Sequence, residues 1–428
     1  MEALLIKNGR VLDPASDLDQ KLDILVVWGK IKEMAPEIKV DDSFLKERMM
    51  VIDATNKIIT PGLIDVHVHA REPGEEYKET IRTVSRAAAS GGFTTIICAP
   101  NTIPPIDNPW RVKRIIEKAR KKSLVNFFTY ACITKGMKGK KVVNVEGIKR
   151  EGAVGLTDDG FPVRDIKVMK EAAKLAKEFS LPICPHCEEV KGPFLLEAKL
   201  IKRYIRSVLR KIPTHFHFFH LSLKESVRLV AEAKREGLPV SAEATPHHFT
   251  LSEREKMGEK INPNFLMNPP LRSLEDVAAI REGLRENVID VIASDHAPHT
   301  KKEKNSQHPP LGVIGLETTL GLVLTHLVKS KILSLKEAIR KMTINPARIF
   351  GIEGGRLGIG LPADITIIDP DWEWTVKPNL FESKGRNCPF AGWRLWGKAV
   401  MTIVRGEVIM SRMEKIKGRF IPKDLKKS

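Results

Sequence analysis

The chain lacks several features that define whole classes of protein. Charged residues interrupt every apolar stretch before about 20 residues, so the sequence predicts no membrane-spanning helix. The first charge is Glu2 and no long apolar region follows it, so we expect no secretory signal. Only five of the 428 residues are cysteine, an odd number, which argues against a disulfide framework and predicts a cytoplasmic location.

Acidic residues are fewer than basic ones, 53 against 71, which gives a net charge of +18. The basic residues are scattered, and only "EKARKKS" and the tail "DLKKS" form runs. No aromatic residues interleave with them, so nucleic-acid binding is disfavoured. Charged residues make up 29% of the chain, which indicates an ion-pair-rich surface. A basic surface also attracts anionic substrates.

The apolar residues, 42% of the chain, suffice for a large core and change their pattern twice. Residues 2–60 show short apolar runs with Asn-Gly and Trp-Gly breaks, which predict strands and hairpins. Eight β-like runs then alternate with helical stretches, which is typical of a (β/α)₈ TIM barrel. Short strands return from about residue 351. We therefore predict an α/β protein with the N-terminal part of a β-sandwich at 1–60, a barrel at 61–350, and a C-terminal return to the sandwich with a basic tail at 351–428.

Chemically capable side chains end the predicted barrel strands. His67 and His69 share one face of the first strand, together with Asp65, because residues two apart in a strand point the same way. Two imidazoles directed at one point are typical of a metal site. Active sites of such barrels lie at the carboxyl ends of the strands. Further candidate ligands end later runs: His186, His220 and Asp295.

This ligand set exceeds what one metal ion needs, so a two-metal site with a bridging anion is attractive. The fourth run, "GAVGLTDDG", contains no lysine that could form a carbamate bridge. Asp158 and Asp159 are the available carboxylates in that run. Either carboxylate could supply the bridging anion.

Other histidines and cysteines receive structural interpretations. Cys184 and Cys187 form a single C-x-x-C around His186, and we interpret them as small buried side chains. We expect hydrogen-bonded structural roles for His247 and His248, packing or surface positions for His215 and His217, and a direction away from Asp295 for His296. The remaining polar strand ends carry donors suited to a carboxylate and its neighbouring amides: Arg71, Asn101, Asn268 and His299.

Several motifs together resemble the amidohydrolase superfamily and, within it, the long bacterial and archaeal dihydroorotases. The resemblance runs nearly end to end, through "PGLIDVHVHAREPG", "APNTIPPIDN", "GLTDDGFPV", "PHCEE", "HFFHLSLKESV", "EATPHHF", "NPPLR", "ASDHAPHT" and "SKGRNCPFAGWRLWGKAV". It implies reversible hydrolysis of dihydroorotate to N-carbamoyl-L-aspartate in pyrimidine biosynthesis, by a zinc-activated water. Asp295 would act as the general base and then as the general acid.

The resemblance also assigns the ligands. It implies two zinc ions, one held by His67, His69 and Asp295 and the other by His186 and His220, with Asp159 as the bridge. Arg71, Asn101, Asn268 and His299 would bind substrate, and the backbone of Leu311 and Gly312 would line the pocket. A homo-oligomer and a complex with aspartate transcarbamoylase are both compatible with this resemblance, whereas nucleic acid and membrane are not expected partners.

The chain departs from the family pattern in two places. The segment 188–214 is shortened and basic, and Leu311 stands where the family more often has phenylalanine. Two alternatives stay open. One is another cyclic-amide hydrolase, such as a hydantoinase, dihydropyrimidinase or allantoinase, although these normally carry a bridging lysine. The other is an inactive dihydroorotase-like scaffold, although such subunits typically lack the metal histidines retained here.

Overall fold

The computed structural model describes residues 2–40, 49–189, 195–256 and 262–413 and the backbone of 416–417. The basic tail at 418–428 and residues 190–194 of the shortened segment lie outside the described residues. The strands are β1 Ala3–Asp13, β2 Leu18–Val27, β3 Lys30–Ala35, β4 Met49–Asp53, β5 Ile58–Pro61, β6 Leu63–Val68, β7 Phe93–Cys98, β8 Asn126–Thr129, β9 Phe216–Phe218, β10 Val240–Ala244, β11 Val291–Ile292, β12 Ile365–Thr375, β13 Arg394–Val404, β14 Glu407–Ser411 and β15 Ile416–Lys417.

Helices fill the connections between the barrel strands and follow the last of them. Their bounds are α1 Ile81–Gly91, α2 Pro109–Lys122, α3 Val145–Arg150, α4 Ile166–Glu178, α5 Leu196–Tyr204, α6 Lys224–Arg235, α7 Pro246–Thr250, α8 Leu274–Arg285, α9 Lys301–Lys304, α10 Thr319–Val323, α11 Leu335–Lys341 and α12 Ile344–Phe350. None of these described helices is long and apolar enough to cross a membrane.

Both ends of the chain build one sheet. Within the described ranges it has nine strands in the order β14-β13-β12-β5-β1-β2-β3, with β4 beside β1 and β15 beside β4. Ile31 of β3 and Val408 of β14 lie in edge strands at opposite ends of this order, yet they belong to the same buried cluster. The two ends of the sheet therefore share a core, as the predicted sandwich requires.

One turn prediction in this sheet is right and the other is wrong. Trp28 and Gly29 form the turn between β2 and β3, both with positive φ. Asn8 and Gly9 were expected to end a strand at a hairpin turn. They instead form a bulge inside the continuous strand β1. Asn8 has φ 65° and its N–H donates to Asp23. A Cβ on Gly9 would collide with the side chain of Ile59, so close packing explains this glycine.

The barrel closes as a ring of parallel neighbours. Strands β6-β7-β8 and β9-β10-β11 form two sheets, and single bridges at Leu156 and Ile183 connect β8 to β9. A bridge between Val68 and His296 closes the circle. The fourth and fifth predicted strands are thus reduced to single bridges. Prolines at 182 and 185 flank Ile183 and donate no backbone hydrogen bond, which keeps the pairing in that run short.

Several helices begin where a side chain caps them. Thr80 forms a capping box with Thr83, so α1 begins at Ile81. Asn108 caps α2, which has Pro109 in its first turn. In the described part of the shortened segment, α5 is anchored by the hydroxyl of Tyr204, which donates to the Val163 carbonyl at 2.7 Å. The shortening therefore leaves a packed helix in place.

Candidate metal centre

Six candidate ligands meet at the carboxyl ends of the barrel strands. His67 lies in β6, and the other five follow strand ends or bridges: His69, Asp159, His186, His220 and Asp295. All six are buried, with at most 7% of any one of them exposed. The ring closure through Val68 and His296 brings the first and last of these segments together, although they are more than 220 residues apart in sequence.

Asp159 occupies the middle of the four histidines. Its Oδ1 lies 3.4 Å from His67 Nε2 and 3.3 Å from His186 Nδ1. The same oxygen lies 3.9 Å from His220 Nε2, and Oδ2 lies 3.5 Å from His69 Nε2. A single carboxylate therefore faces all four imidazoles, which is the position a bridging ligand needs.

Asp295 faces the first two histidines. Its Oδ1 lies 3.2 Å from His69 Nε2 and 3.7 Å from His67 Nε2. Its backbone is left-handed, with φ 48°, and strained conformations of this kind cluster at functional sites. Two groups have ligand atoms within 4.8 Å of one another: His67 with His69 and Asp295, and His67 with Asp159 and His220. His186 adjoins the second group, with Nδ1 3.0 Å from His220 Nε2.

The donor set fits a metal cation. His67 Nε2 is buried and has no hydrogen-bond partner. Burial lowers the pKa of His67, but Glu243, Asp295 and Asp159 outweigh it and raise that pKa well above its ordinary value. Burial likewise opposes ionisation of Asp159 and Asp295, yet His67 and its neighbours lower the pKa of both carboxyls. The centre therefore favours added positive charge, and imidazole with carboxylate is a donor set that suits zinc.

Asp158 is held away from this centre. Its Oδ1 accepts from the backbone N–H of Ile133 at 2.8 Å and of Thr134 at 3.1 Å, and its Oδ2 accepts from the Thr134 hydroxyl. Burial raises the pKa of Asp158 to about 6. The two adjacent aspartates thus have different contacts. Asp158 binds the backbone of Ile133 and Thr134, whereas Asp159 faces the histidines.

Glu243 is a site residue that the sequence did not reveal. It is fully buried in β10, and its Oε1 lies 2.6 Å from His67 Nδ1. Its Oε2 lies 3.2 Å from His217 Nε2, and His217 Nδ1 in turn contacts the Ser241 hydroxyl. His217 is therefore a buried packing residue, which is one of the two kinds of position expected for it. A carboxylate behind a ligating histidine fixes the ring and its tautomer.

Replacing Glu243 with glutamine is expected to lower metal affinity about 10- to 100-fold, because His67 loses the carboxylate that orients it. Competition with a chromogenic chelator measures this affinity. Glu72→Gln is the matched control, since Glu72 is a buried glutamate bound to Ile81 N and Lys122 on another loop. Equal affinities in the two variants would contradict the orienting role of Glu243.

The expected substrate-binding residues surround the same opening. One Arg71 Nη lies 3.2 Å from His299 Nε2, and Arg71 Nε donates to the Pro298 carbonyl. His299 Nε2 also lies 2.9 Å from the Leu311 carbonyl oxygen, while its Nδ1 is buried without a partner. Burial, then Arg71, lowers the pKa of His299 to about 3. His299 is therefore neutral, and its buried Nδ1 has no hydrogen-bond partner among the described residues.

The two asparagines contact candidate ligands directly. Asn101 Oδ1 lies 3.0 Å from His69 Nδ1, and its Nδ2 donates to Asp159 Oδ2 at 3.1 Å. Asn268 Nδ2 lies 3.0 Å from His186 Nε2. Both amides therefore orient ligands, whether or not they also reach substrate. Both side chains are only half-buried, so a molecule entering the opening can contact them.

His247, His248, His296 and all five cysteines are buried, whereas His215 is half-buried. His248 contacts Thr245 and the Pro269 carbonyl, and His296 Nδ1 accepts from Gly315 N. The carboxylate of Asp65 accepts from the backbone N–H groups of His67 and Ser294. His247 is buried with Nε2 unpaired, and His215 contacts Ser241. All five cysteines are buried free thiols, Cys184 and Cys187 included.

The amino-acid sequence is similar to those of known proteins along nearly its whole length. The sequence signature described as the amidohydrolase family matches residues 58–409. A dihydroorotase of Pelotomaculum thermopropionicum is 42% identical over 429 residues, covering 95% of this chain and 98% of its own length. A dihydroorotase of Geotalea daltonii is 41% identical over 431 residues, covering 96% and 99%.

Solved structures share the whole architecture. The L-hydantoinase (dihydropyrimidinase) from Arthrobacter aurescens has a TM-score of 0.86 at 26% identity, covering 98% of both chains. The dihydropyrimidinase from Brevibacillus agri has a TM-score of 0.85 at 21% identity, covering 96% of this chain and 95% of its own. The latter likeness concerns the fold alone.

Proposed function

The chain belongs to the amidohydrolase family and, within it, to the dihydroorotases, and from this premise we propose how its residues carry out the reaction. The reaction is the metal-dependent, reversible hydrolysis of the cyclic amide of dihydroorotate to N-carbamoyl-L-aspartate. One observation carries the residue assignment: Asp159 faces four buried histidines, while Asp295 faces two of them from the opposite end of the barrel sequence.

The metal in this proposal is zinc, with about two ions per chain. His67, His69 and Asp295 would hold one ion, His186 and His220 the other, and Asp159 would bridge them. When bound, the ions lower the pKa of a water and polarise the amide carbonyl of the substrate. The imidazole and carboxylate donors, and the preference of the centre for positive charge, support this choice.

Asp295 moves the proton. Its carboxylate is buried beside His69, with Oδ1 3.2 Å from Nε2, at the place where it would accept a proton from the attacking water. The same carboxyl group then delivers that proton to the ring nitrogen as the amide bond breaks. Acid and base are thus one group, and the reverse reaction uses the same steps in the opposite order.

Arg71 and His299 would bind the substrate carboxylate at the opening, with Asn101 and Asn268 near the reacting amide. Arg71 is held by Pro298 and lies 3.8 Å from Glu75, so its guanidinium is already placed before substrate arrives. The backbone of Leu311 and Gly312 would line the pocket. A guanidinium suits a carboxylate because it offers two parallel donors.

We also propose a cellular location and partners for this chain. Five free thiols are compatible with a reducing cytoplasm. A homo-oligomer or a complex with aspartate transcarbamoylase is part of this proposal, and it would cover exposed apolar side chains such as Ile103, Trp110 and Phe161, each at least 59% exposed.

A substrate panel tests the function. Turnover on dihydroorotate is expected to exceed turnover on hydantoin and allantoin, because Arg71 and His299 recognise a carboxylate that those two compounds lack. A chelator should abolish turnover, and zinc should restore it. Metal analysis of the purified chain should then give about two zinc ions. Faster turnover on hydantoin than on dihydroorotate would instead support a hydantoinase.

A further inference from the structure

A residue from the C-terminal return lies directly behind the substrate side of the site. Asn387 is 2% exposed and precedes β13 by a few residues. Its side chain contacts two segments, 297–299 and 311–314, which together we call the substrate rim. These segments carry His299, Leu311 and Gly312, all expected to contact substrate.

Four hydrogen bonds join Asn387 to the rim. Its Oδ1 accepts from the backbone N–H of His299 at 3.1 Å. Its Nδ2 donates to the carbonyls of Ala297 at 2.9 Å and Gly312 at 3.0 Å. Its own carbonyl accepts from Ile314 N at 3.1 Å. One side chain therefore ties both rim segments together, 75 to 90 residues away in sequence.

A buried lysine also donates hydrogen bonds to the substrate rim. Lys304, 3% exposed, donates from Nζ to the carbonyls of Gly312 at 3.1 Å, Pro310 at 2.9 Å and Leu266 at 3.3 Å. The Gly312 carbonyl thus receives donors from both Asn387 and Lys304. Gly312 has φ 128°, and a Cβ there would lie 3.2 Å from His299 Nε2. Gly312 and His299 are consequently held in close contact.

Only an amide satisfies this arrangement. The rim offers one N–H and two carbonyls to the side chain at position 387. A carboxylate would accept from His299 but would face the carbonyls of Ala297 and Gly312 without a donor, and an apolar side chain would leave all three groups unpaired. Buried backbone groups without partners are costly, so the rim would move to find others.

We propose that Asn387 is a positioning residue for the substrate rim, holding His299 and Gly312 at the distance from the metal centre that substrate requires. This rests on the proposed function for its effect on turnover, but its structural part is independent of it. Among the described residues, the hydrogen bonds of Asn387 reach none of the six candidate ligands. Its loss should therefore affect substrate binding and leave the metal centre intact.

The test compares Asn387→Leu, Asn387→Asp and the control Asn345→Leu. Asn345 Nδ2 donates to the Asp290 carbonyl at 2.8 Å beside the start of β11, far along the chain from the rim. We expect Asn387→Leu to raise KM for dihydroorotate about 10- to 100-fold, because misplacing binding groups by about 1 Å has effects of this size. Asn387→Asp keeps one of the three side-chain bonds and should fall between. Zinc content should stay at the wild-type value.

Amide hydrogen exchange supplies a readout that needs no turnover. The rim amides, including His299 N, should exchange faster in both Asn387 variants than in wild type, and should be unchanged in Asn345→Leu. Equal KM values in Asn387→Leu and Asn345→Leu, or loss of zinc with unchanged rim exchange, would overturn the proposal. Absence of dihydroorotate turnover in the wild type would instead refute the proposed function, while hydrogen exchange would still test the role of Asn387.

Discussion

Asp295→Asn is expected to lower the turnover of dihydroorotate about a thousandfold while zinc content and fold are retained. Asparagine has the same shape and keeps an oxygen toward His69, so a metal ligand remains at that position. It cannot accept a proton, however, and the reaction in either direction then lacks the group that carries the proton between water and ring nitrogen. The loss should appear in kcat and not in KM.

The control for this prediction lies near the other end of the same barrel strand. Asp290 accepts from Ala242 N and pairs with Lys234 near the start of β11, so Asp290→Asn changes the same chemical group away from the opening. It should keep nearly full turnover. Turnover by Asp295→Asn within a few-fold of the Asp290→Asn value would exclude Asp295 as the proton carrier.

The second large effect separates two neighbouring aspartates. Asp159→Ala is expected to abolish turnover and to lower the zinc content of the purified chain, because Asp159 is the single carboxylate that faces all four histidines. Four imidazoles without that carboxylate have less negative charge to hold two cations together. Zinc analysis and turnover measured on the same preparation test both parts of the expectation.

Asp158→Ala should behave differently. It removes the acceptor for Ile133 N and Thr134 N, so we expect a loss of about 1–3 kcal/mol in the free energy of unfolding, with zinc content unchanged. Denaturant unfolding of the zinc-loaded chains measures this difference. If Asp158→Ala lost zinc and Asp159→Ala kept it, the assignment of the bridge would be reversed.

The sequence predicted the parts of this protein that repeat or alternate. Eight apolar runs alternating with helices predicted a TIM barrel, and the two β-rich ends predicted a sandwich; both agree with the fold. The spacing of His67 and His69 predicted that their side chains point the same way, because every second residue of a strand lies on the same face. Polar strand ends predicted that His186, His220 and Asp295 would meet them, since parallel strands end at one rim of a barrel.

Side-chain contacts that follow no repeating sequence pattern could not be predicted in this way. Glu243 follows small buried residues in β10, and nothing in its neighbourhood shows that it points at His67. Asn387 acts on backbone groups of residues that leave no pattern in the sequence. The choice between Asp158 and Asp159 depends on local backbone direction, and that run is a single bridge where strand alternation gives no guidance.

The sheet formed by both chain ends has a consequence for synthesis on the ribosome. Every candidate ligand precedes residue 300, so all of them leave the ribosome while β12, β13 and Asn387 are still being made. Until then β5 lacks its partner β12, and the substrate rim lacks the side chain that ties it. If Asn387 ties the substrate rim as proposed, a nascent chain gathers its histidines before that rim is complete.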